Sequence, residues 1–283
     1  MKTPPRLLPL LEDGVIDEVI SSLMSGKEAS VYVVRCGDEI RCAKVYKDAN
    51  KRSFKQAVTY QEGRKVRNTR RARAMEKGSK YGKKQQEELW QNAEVDALFQ
   101  LANAGVRVPQ PFGCFDGVLL MELVMDDEGN IAPRLNDVAM SAEQAREDHE
   151  LMMRDIVRML CAGIVHGDLS EFNVLVDDYG PVIIDLPQAV NPTANNSAKA
   201  MFERDVNNMT RYYANFAPEL LETQYAKEIW ALYEAGDLHP DVELTGQYAE
   251  DLELADVDSV MLEIKAALDE QQAREARLKE DSE

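Results

Sequence analysis

The sequence predicts an α+β fold of two lobes, a small antiparallel-sheet N-lobe followed by a mainly helical C-lobe. Three observations lead there. The branched runs VYVV (31–34) and IRCAKVY (40–46) flank the turn pair Gly37-Asp38, the pattern of a hairpin. Beyond residue 140 the apolar positions recur mostly at helical spacing. With 283 residues, 45% of them hydrophobic, the chain can build one substantial domain or two close-packed lobes, and a disordered acidic polymer is excluded.

The elements follow in order. Residues 1–14 read as an extension: the apolar run of MKTPPRLLPLLEDG is short, is broken by Pro4, Pro5 and Pro9, and is followed at once by acids. That is a poor secretory signal, and no later segment reaches membrane-spanning length, so a cytoplasmic protein without a membrane partner is expected. EVISSLMS (18–25) reads as a helix or turn entering the hairpin strands. The basic stretch 48–84 mixes helix formers with Gly63, Gly78 and Gly82, which predicts a short helix and a mobile excursion. A helix over 85–104 places Leu89, Ala93, Ala97, Leu98, Leu101 and Ala102 on one broad face and stops at Gly105. Two short strands fit RVPQPFGCF and GVLLMELV, so the N-lobe spans 15–124 and the C-lobe 125–283. Ser141 caps a helix that Gly163 ends. VLV (174–176) and VII (182–184) form a hairpin, and helical stretches at 198–213, 217–235 and 256–279 complete the lobe, the last charged and fraying.

The net charge of -18 hides a division. Residues 41–84 hold 16 basic and 3 acidic groups, a net of +13, while 1–40 carry -3 and 85–283 carry -28. The overall field repels polyphosphate and argues against a general nucleic-acid coat. Cys36, Cys42, Cys114 and Cys161 contain no CxxC pair, and there are three histidines, so reduced thiols are expected and a Cys–His metal cluster is not.

The chemistry concentrates in IVHGDLSEFNVLV and the following VIIDLPQ. Asp168 and Asn173 have the D-x-x-x-x-N spacing of kinase catalytic loops. Asp185 ends the next apolar strand, and with Asn173 it offers hard oxygen ligands to magnesium. Asp168 suits the orientation, and deprotonation, of an attacking hydroxyl. Lys44, in the strand context CAKVYK, suits nucleotide phosphates and an ion pair with Glu94 on the 85–104 helix. The loop Ser25-Gly26-Lys27-Glu28-Ala29-Ser30-Val31 can cover phosphates with backbone N–H groups and the Ser30 hydroxyl. Its single glycine makes it neither a Walker A loop nor G-x-G-x-x-G. His166 fits a structural hydrogen bond that holds the catalytic loop. Alone, an aspartate caps turns and a strand lysine is solvated; the ordered set is what points to phosphate chemistry.

With these residues the chain resembles the RIO family of atypical serine/threonine protein kinases. The matching segments are SGKEASVY (25–32), AKVYK (43–47), GVRVPQP (105–111), HGDLSEFNVLV (166–176) and IIDLPQAV (183–190), within roughly residues 15–270. Few residues precede the glycine-containing loop, which is similar to the branch without a separate N-terminal winged-helix domain. The resemblance implies a two-lobed protein-kinase-like fold and binding of ATP with Mg2+, or Mn2+. Ser25 to Val31 would form the phosphate loop, Lys44 the ATP-phosphate lysine and Glu94 its partner. Met121 would be the gatekeeper, and Glu122 and Val124 would present backbone groups to adenine. Asp168 would be catalytic, with Asn173 and Asp185 on the metal.

It also implies transfer of the γ-phosphate to a serine hydroxyl of a protein or of the chain itself. An ATPase switch through an aspartyl-phosphate at Asp185, tied to RNA or a ribosomal particle, is the alternative. IIDLPQAVNPTANN has no D-F-G motif, and FAPEL (216–220) reads as a helix start, so peptide docking by analogy to ordinary protein kinases does not follow. HGDLxxxxN also resembles small-molecule phosphotransferases related to choline and aminoglycoside kinases, which keeps a small hydroxylated acceptor open. The basic stretch 51–84, with Phe54, Tyr60 and Tyr81, suits an RNA backbone and exposed bases, phosphates or acidic protein surfaces, or a solvated insert.

Overall fold

Strand alternation in the central hairpin determines what each face of the N-terminal sheet carries. Strand β1 runs Glu18–Ser25, β2 Ala29–Cys36, β3 Glu39–Tyr46, β4 Pro111–Phe115 and β5 Val118–Glu122, in the spatial order β1-β2-β3-β5-β4. All neighbouring pairs are antiparallel. The turn between β2 and β3 needs a left-handed residue, and Gly37 takes it with φ 62°, its N–H donating to Asp17 Oδ2 at 2.6 Å. The computed structural model describes residues 3–26, 29–47 and 93–249. The basic segment 48–84, Lys27, Glu28, the start of the 85–104 helix and the stretch 256–279 lie outside the described residues. The chain divides into units Met1–Gln247 and Tyr248–Glu283, and every element named here belongs to the first.

Because side chains alternate at period two, Tyr32, Val34, Ala43, Val45, Val118 and Leu120 share one sheet face. The N-terminal residues cover it. A 3-10 turn at Pro5–Leu7 leads into the short helix α1, Leu8–Glu12, and Leu7, Leu10 and Ile16 bury against Val34, Ala43, Val45, Val118 and Leu120. The opposite face carries Val31, Val33, Cys42 and the half-buried Met121, and with them Lys44. The same alternation that buries Ala43 and Val45 therefore sends Lys44 away from that core.

Residues 18–25 correct the sequence reading: EVISSLMS is strand β1, not a helix or turn. Its own propensity is mixed, but β2 supplies a full antiparallel partner from Glu18↔Arg35 to Ser25↔Ser30, and two register irregularities absorb the misfit. Tertiary pairing overrides local preference here.

The helix α2, described over 93–103, buries Ala97, Leu98 and Leu101 and ends at Gly105, φ 73°. Helix α3, Ala142–Cys161, starts where Ser141 Oγ accepts from Gln144 N at 3.1 Å. Helices α4, Ala198–Tyr213, and α5, Tyr225–Ala235, pack on it; Met152, Met153, Ile156, Phe202, Val206, Met209, Tyr213 and Ile229 form the heart of the core. The hairpin β6 (Val174–Asp177) and β7 (Gly180–Ile183) forms a separate two-stranded sheet. The stretch read as one helix over 217–235 is two pieces, a 3-10 helix at Pro218–Glu222 and then α5. Thr223 breaks it: its backbone is extended, its hydroxyl donates to Leu220 O at 2.7 Å, and Gln224 N donates to Gly246 O at 2.8 Å. Among the described residues no helix is long and apolar enough to cross a membrane. The fold class is α+β, with a five-stranded antiparallel sheet and a mainly helical remainder.

His149 on α3 is buried, with Nε2 3.0 Å from Thr210 Oγ1, and burial pushes its pKa from 6.5 down to about 4. The unfolded chain takes the proton first. Stability from this residue is therefore present above about pH 6.5 and lost as pH falls toward 4, about 2 kcal/mol of it by pH 5. Asp155 and Asp205 act oppositely: burial raises each from 3.8 to about 6, so their contribution is full below 3.8 and lost through 6. His149→Gln should thus reduce the drop in melting temperature between pH 7 and pH 5. An equal drop in both proteins would place the acid sensitivity elsewhere.

Candidate active site

Lys44 projects from the middle of β3, opposite Val31 and Leu119. Its Nζ donates to Glu94 Oε1 at 2.5 Å and to Asp185 Oδ1 at 2.8 Å. Glu94 comes from α2 and is 5% exposed, whereas 48% of the Asp185 side chain is open. Burial works against the Lys44 charge, but Glu94 and then Asp185 outweigh it and hold its pKa well above the ordinary lysine value. Burial likewise works against the Asp185 charge; the Lys44 ammonium and its hydrogen bond overcome that and keep the carboxyl below its usual range. Asp185 also sits in the left-handed region, φ 67°. Such a backbone costs energy in a non-glycine residue and persists where its surroundings enforce it.

The segment 166–173 is held by a set of directed bonds. His166 Nδ1 accepts from Asp168 N at 3.2 Å, which leaves Nε2–H to donate to Ile184 O at 3.1 Å. One imidazole thus ties the Asp168 loop to the residue before Asp185. Asn173 donates its amide to Asp168 O at 2.8 Å, and its own backbone carbonyl accepts from Ile184 N at 3.0 Å. Gln188 Nε2 donates to Asp168 Oδ2 at 2.8 Å. Burial raises the Asp168 carboxyl pKa above its ordinary value, against the lowering effect of Arg204 and of the Gln188 hydrogen bond.

Helix α4 clamps the same loop from below. Asp205, 3% exposed, accepts from Gly167 N at 2.7 Å and from Leu169 N at 3.2 Å, the two amides flanking Asp168. Arg204 donates to Gly167 O, and Asn208 Nδ2 to Leu169 O at 3.1 Å. Asp205→Ala orphans two buried N–H groups, at about 1–3 kcal/mol each. Amide hydrogen exchange at Gly167 and Leu169 should accelerate more than at core positions such as Met152; uniform acceleration would mean that Asp205 supports the whole fold and not this loop.

Around the first strand turn, Gly26 N donates to Ala29 O at 2.9 Å, and the Ser25 and Ser30 hydroxyls lie 3.0 Å apart. Lys47 closes the turn, with Nζ 3.0 Å from Ser25 Oγ and 2.5 Å from Gly26 O. Val31 is buried beside Val33. Met121 faces Cys42 across the β3–β5 pair. Glu122 donates its N–H to Gln110 O at 2.8 Å, and Val124 accepts at its carbonyl from Ala132 N at 3.0 Å.

The structure therefore gathers Lys44, Glu94 and Asp185 directly and joins Asp168 and Asn173 to them through His166 and Ile184. Among the described residues no three His, Cys, Asp or Glu side chains cluster as a metal cage. A divalent cation here would take Asp185 and the Asn173 amide oxygen and complete its shell with phosphate oxygens and water, which suits magnesium. Gln188, Arg204, Asp205 and Asn208 were not singled out from sequence. Gln188 lies within IIDLPQAV, but the other three lie on α4, 31–35 residues downstream of Asn173, with no local signature.

Comparison with known proteins then places the chain. A model of the RIO domain matches residues 30–226. The RIO-type serine/threonine-protein kinase Rio1 of Haloferax volcanii is 35% identical over 207 residues, covering 72% of this chain and 66% of that protein. Serine/threonine-protein kinase rio1 of Schizosaccharomyces pombe is 31% identical over 195 residues (67% and 37%), and human serine/threonine-protein kinase RIO1 is 32% identical over 191 (67% and 32%). The match thus spans just under two thirds of the haloarchaeal protein and about a third of the two eukaryotic ones. The family match takes in the strand that carries Lys44, the loop that carries Asp168 and the helix that carries Asp205, and the chain belongs to the RIO domain family.

Proposed function

We propose that the chain is an ATP-dependent atypical serine/threonine protein kinase that transfers the γ-phosphate of ATP to a protein hydroxyl, its own included. The observation that carries this is Lys44, held between Glu94 and Asp185 at 2.5 and 2.8 Å. Glu94 fixes the ammonium, and Asp185 occupies the position from which phosphate oxygens would draw it. The names of the curated relatives support a protein acceptor over a small hydroxylated molecule.

In this reading the turn Ser25-Gly26, braced by Lys47, covers the phosphates. The Glu122 carbonyl and Val124 N–H meet the adenine edge, since the other backbone groups of these residues are engaged by Gln110 and Ala132. Asp168, oriented by Gln188, accepts the hydrogen bond of the incoming hydroxyl and takes its proton as the bond to phosphorus forms. Lys44 offsets charge on the phosphate oxygens as ADP departs. Magnesium bound by Asn173 and Asp185 would neutralise further phosphate charge.

Asp185 favours a second reading. Its carboxylate is kept ionised by Lys44 yet is half open, so it can itself attack the γ-phosphorus, release ADP and form an aspartyl-phosphate that water cleaves to phosphate. The chain would then be an ATPase switch, with the basic stretch 51–84 as its contact to RNA or a ribosomal particle. Incubation with γ-labelled ATP and magnesium separates the two. Acid-stable label on serine supports the kinase, and hydroxylamine-labile label with phosphate release supports the switch. ATP binding with neither refutes both.

A further inference from the structure

A cation that has no role above lies beside Asp185, at the site read above as an ATP cleft. Arg134 is half-buried, and its backbone bridges Leu175 in β6, two residues beyond Asn173. Its guanidinium crosses to the sheet, where Nη2 lies 3.0 Å from the Met24 thioether sulfur. Met24 immediately precedes Ser25 and Gly26 of the braced turn. Arg134 also acts on Asp185, as one of the cations that favour its charged form. The guanidinium therefore lies between the turn assigned to phosphates and the aspartate that pairs with Lys44.

The guanidinium is weakly held at this position. A guanidinium carries five N–H donors in a planar fork suited to phosphate or carboxylate, whereas a thioether is a weak acceptor. Among the described residues, the Met24 sulfur is the side-chain partner that Arg134 has. Asp185, on which Arg134 acts, is shared with Lys44, and Lys47 braces the adjoining turn. A polyphosphate entering beside Asp185 meets Lys44 and brings acceptor oxygens that a second, weakly held cation can take. Held by sulfur and not by a carboxylate, Arg134 exchanges its partner at little cost.

We propose that Arg134 is a nucleotide-binding residue that leaves Met24 to hold the phosphate chain of the bound nucleoside triphosphate or diphosphate, on the side of the cleft opposite Lys44. This rests on the reading of the cleft as an ATP site. It assigns Arg134 to the phosphates and not to the base, and makes it selective for charged nucleotides over the bare nucleoside.

The test measures the dissociation constants of ATP, ADP and adenosine by calorimetry, in EDTA and again in magnesium, for the native chain, Arg134→Met and Arg134→Lys. Methionine keeps the apolar contact to Met24 and removes the charge. The expected result is ATP and ADP binding weakened about tenfold or more in Arg134→Met, partly restored in Arg134→Lys, with adenosine unchanged. Equal weakening of all three ligands would make Arg134 a packing residue and overturn the proposal, as would no change in any. Absence of ATP binding by the native chain itself would refute the ATP site and, with it, this inference. A native chain that binds ATP while the variants behave like it would refute the inference alone.

Discussion

Asp168→Asn should lower phosphoryl transfer by about 10²–10⁴-fold while changing ATP affinity by less than about threefold. The amide is nearly isosteric, and the bonds that shape the loop do not use the Asp168 carboxylate. Asp205 holds Gly167 and Leu169, His166 receives the Asp168 backbone N–H, and Asn173 donates to the Asp168 carbonyl. What is lost is the proton acceptor, together with the carboxylate that Gln188 orients at 2.8 Å. Single-turnover rates and equilibrium ATP titrations separate the two quantities. A matching loss in ATP affinity would move Asp168 into nucleotide binding, and an undiminished rate would remove its assigned part in catalysis.

Lys44→Met should both abolish transfer and destabilise the fold. Glu94 is 5% exposed, and its ion-pair partner is the ammonium 2.5 Å away. Removing one partner of such a buried pair typically costs about 3–5 kcal/mol, because the remaining charge is left uncompensated. The open side of Asp185 places the expected loss at the lower end of that range. Lys44→Met combined with Glu94→Gln should regain much of the stability, since neither remaining group is a buried charge, yet recover no activity. Denaturant midpoints for the two single variants and the pair measure the coupling. Additive stability losses would show that Lys44 and Glu94 do not stabilise one another.

The parts of this fold that announce themselves in sequence are those built from local signals. Gly37-Asp38 between two branched runs marks the β2–β3 hairpin, Ser141 marks the start of α3, and the runs VLV and VII mark the β6–β7 pair. β1 escapes such reading because its pairing with β2, not its own composition, makes EVISSLMS a strand. The break after Glu222 escapes for a similar reason, since it depends on Gly246, 22 residues beyond Gln224. In the site, the relative order of Lys44, Glu94, Asp168, Asn173 and Asp185 is visible in the chain, although Lys44 and Asp185 are 141 residues apart. The clamp from α4 is not visible. Asp205 looks like any polar position of an amphipathic helix until the fold sets it under Gly167 and Leu169.

The left-handed backbone at Asp185 has a consequence for how this site can be lost over generations. Few side chains tolerate that conformation; glycine, asparagine and aspartate do so most readily. Glutamate keeps the charge but not the short side chain that suits this turn. Asparagine and glycine keep the turn but not the charge, and each is one nucleotide away from an aspartate codon. A single nucleotide change can therefore remove the carboxylate from this site with the architecture intact, whereas no single neighbour of aspartate both fits the backbone and preserves the carboxylate.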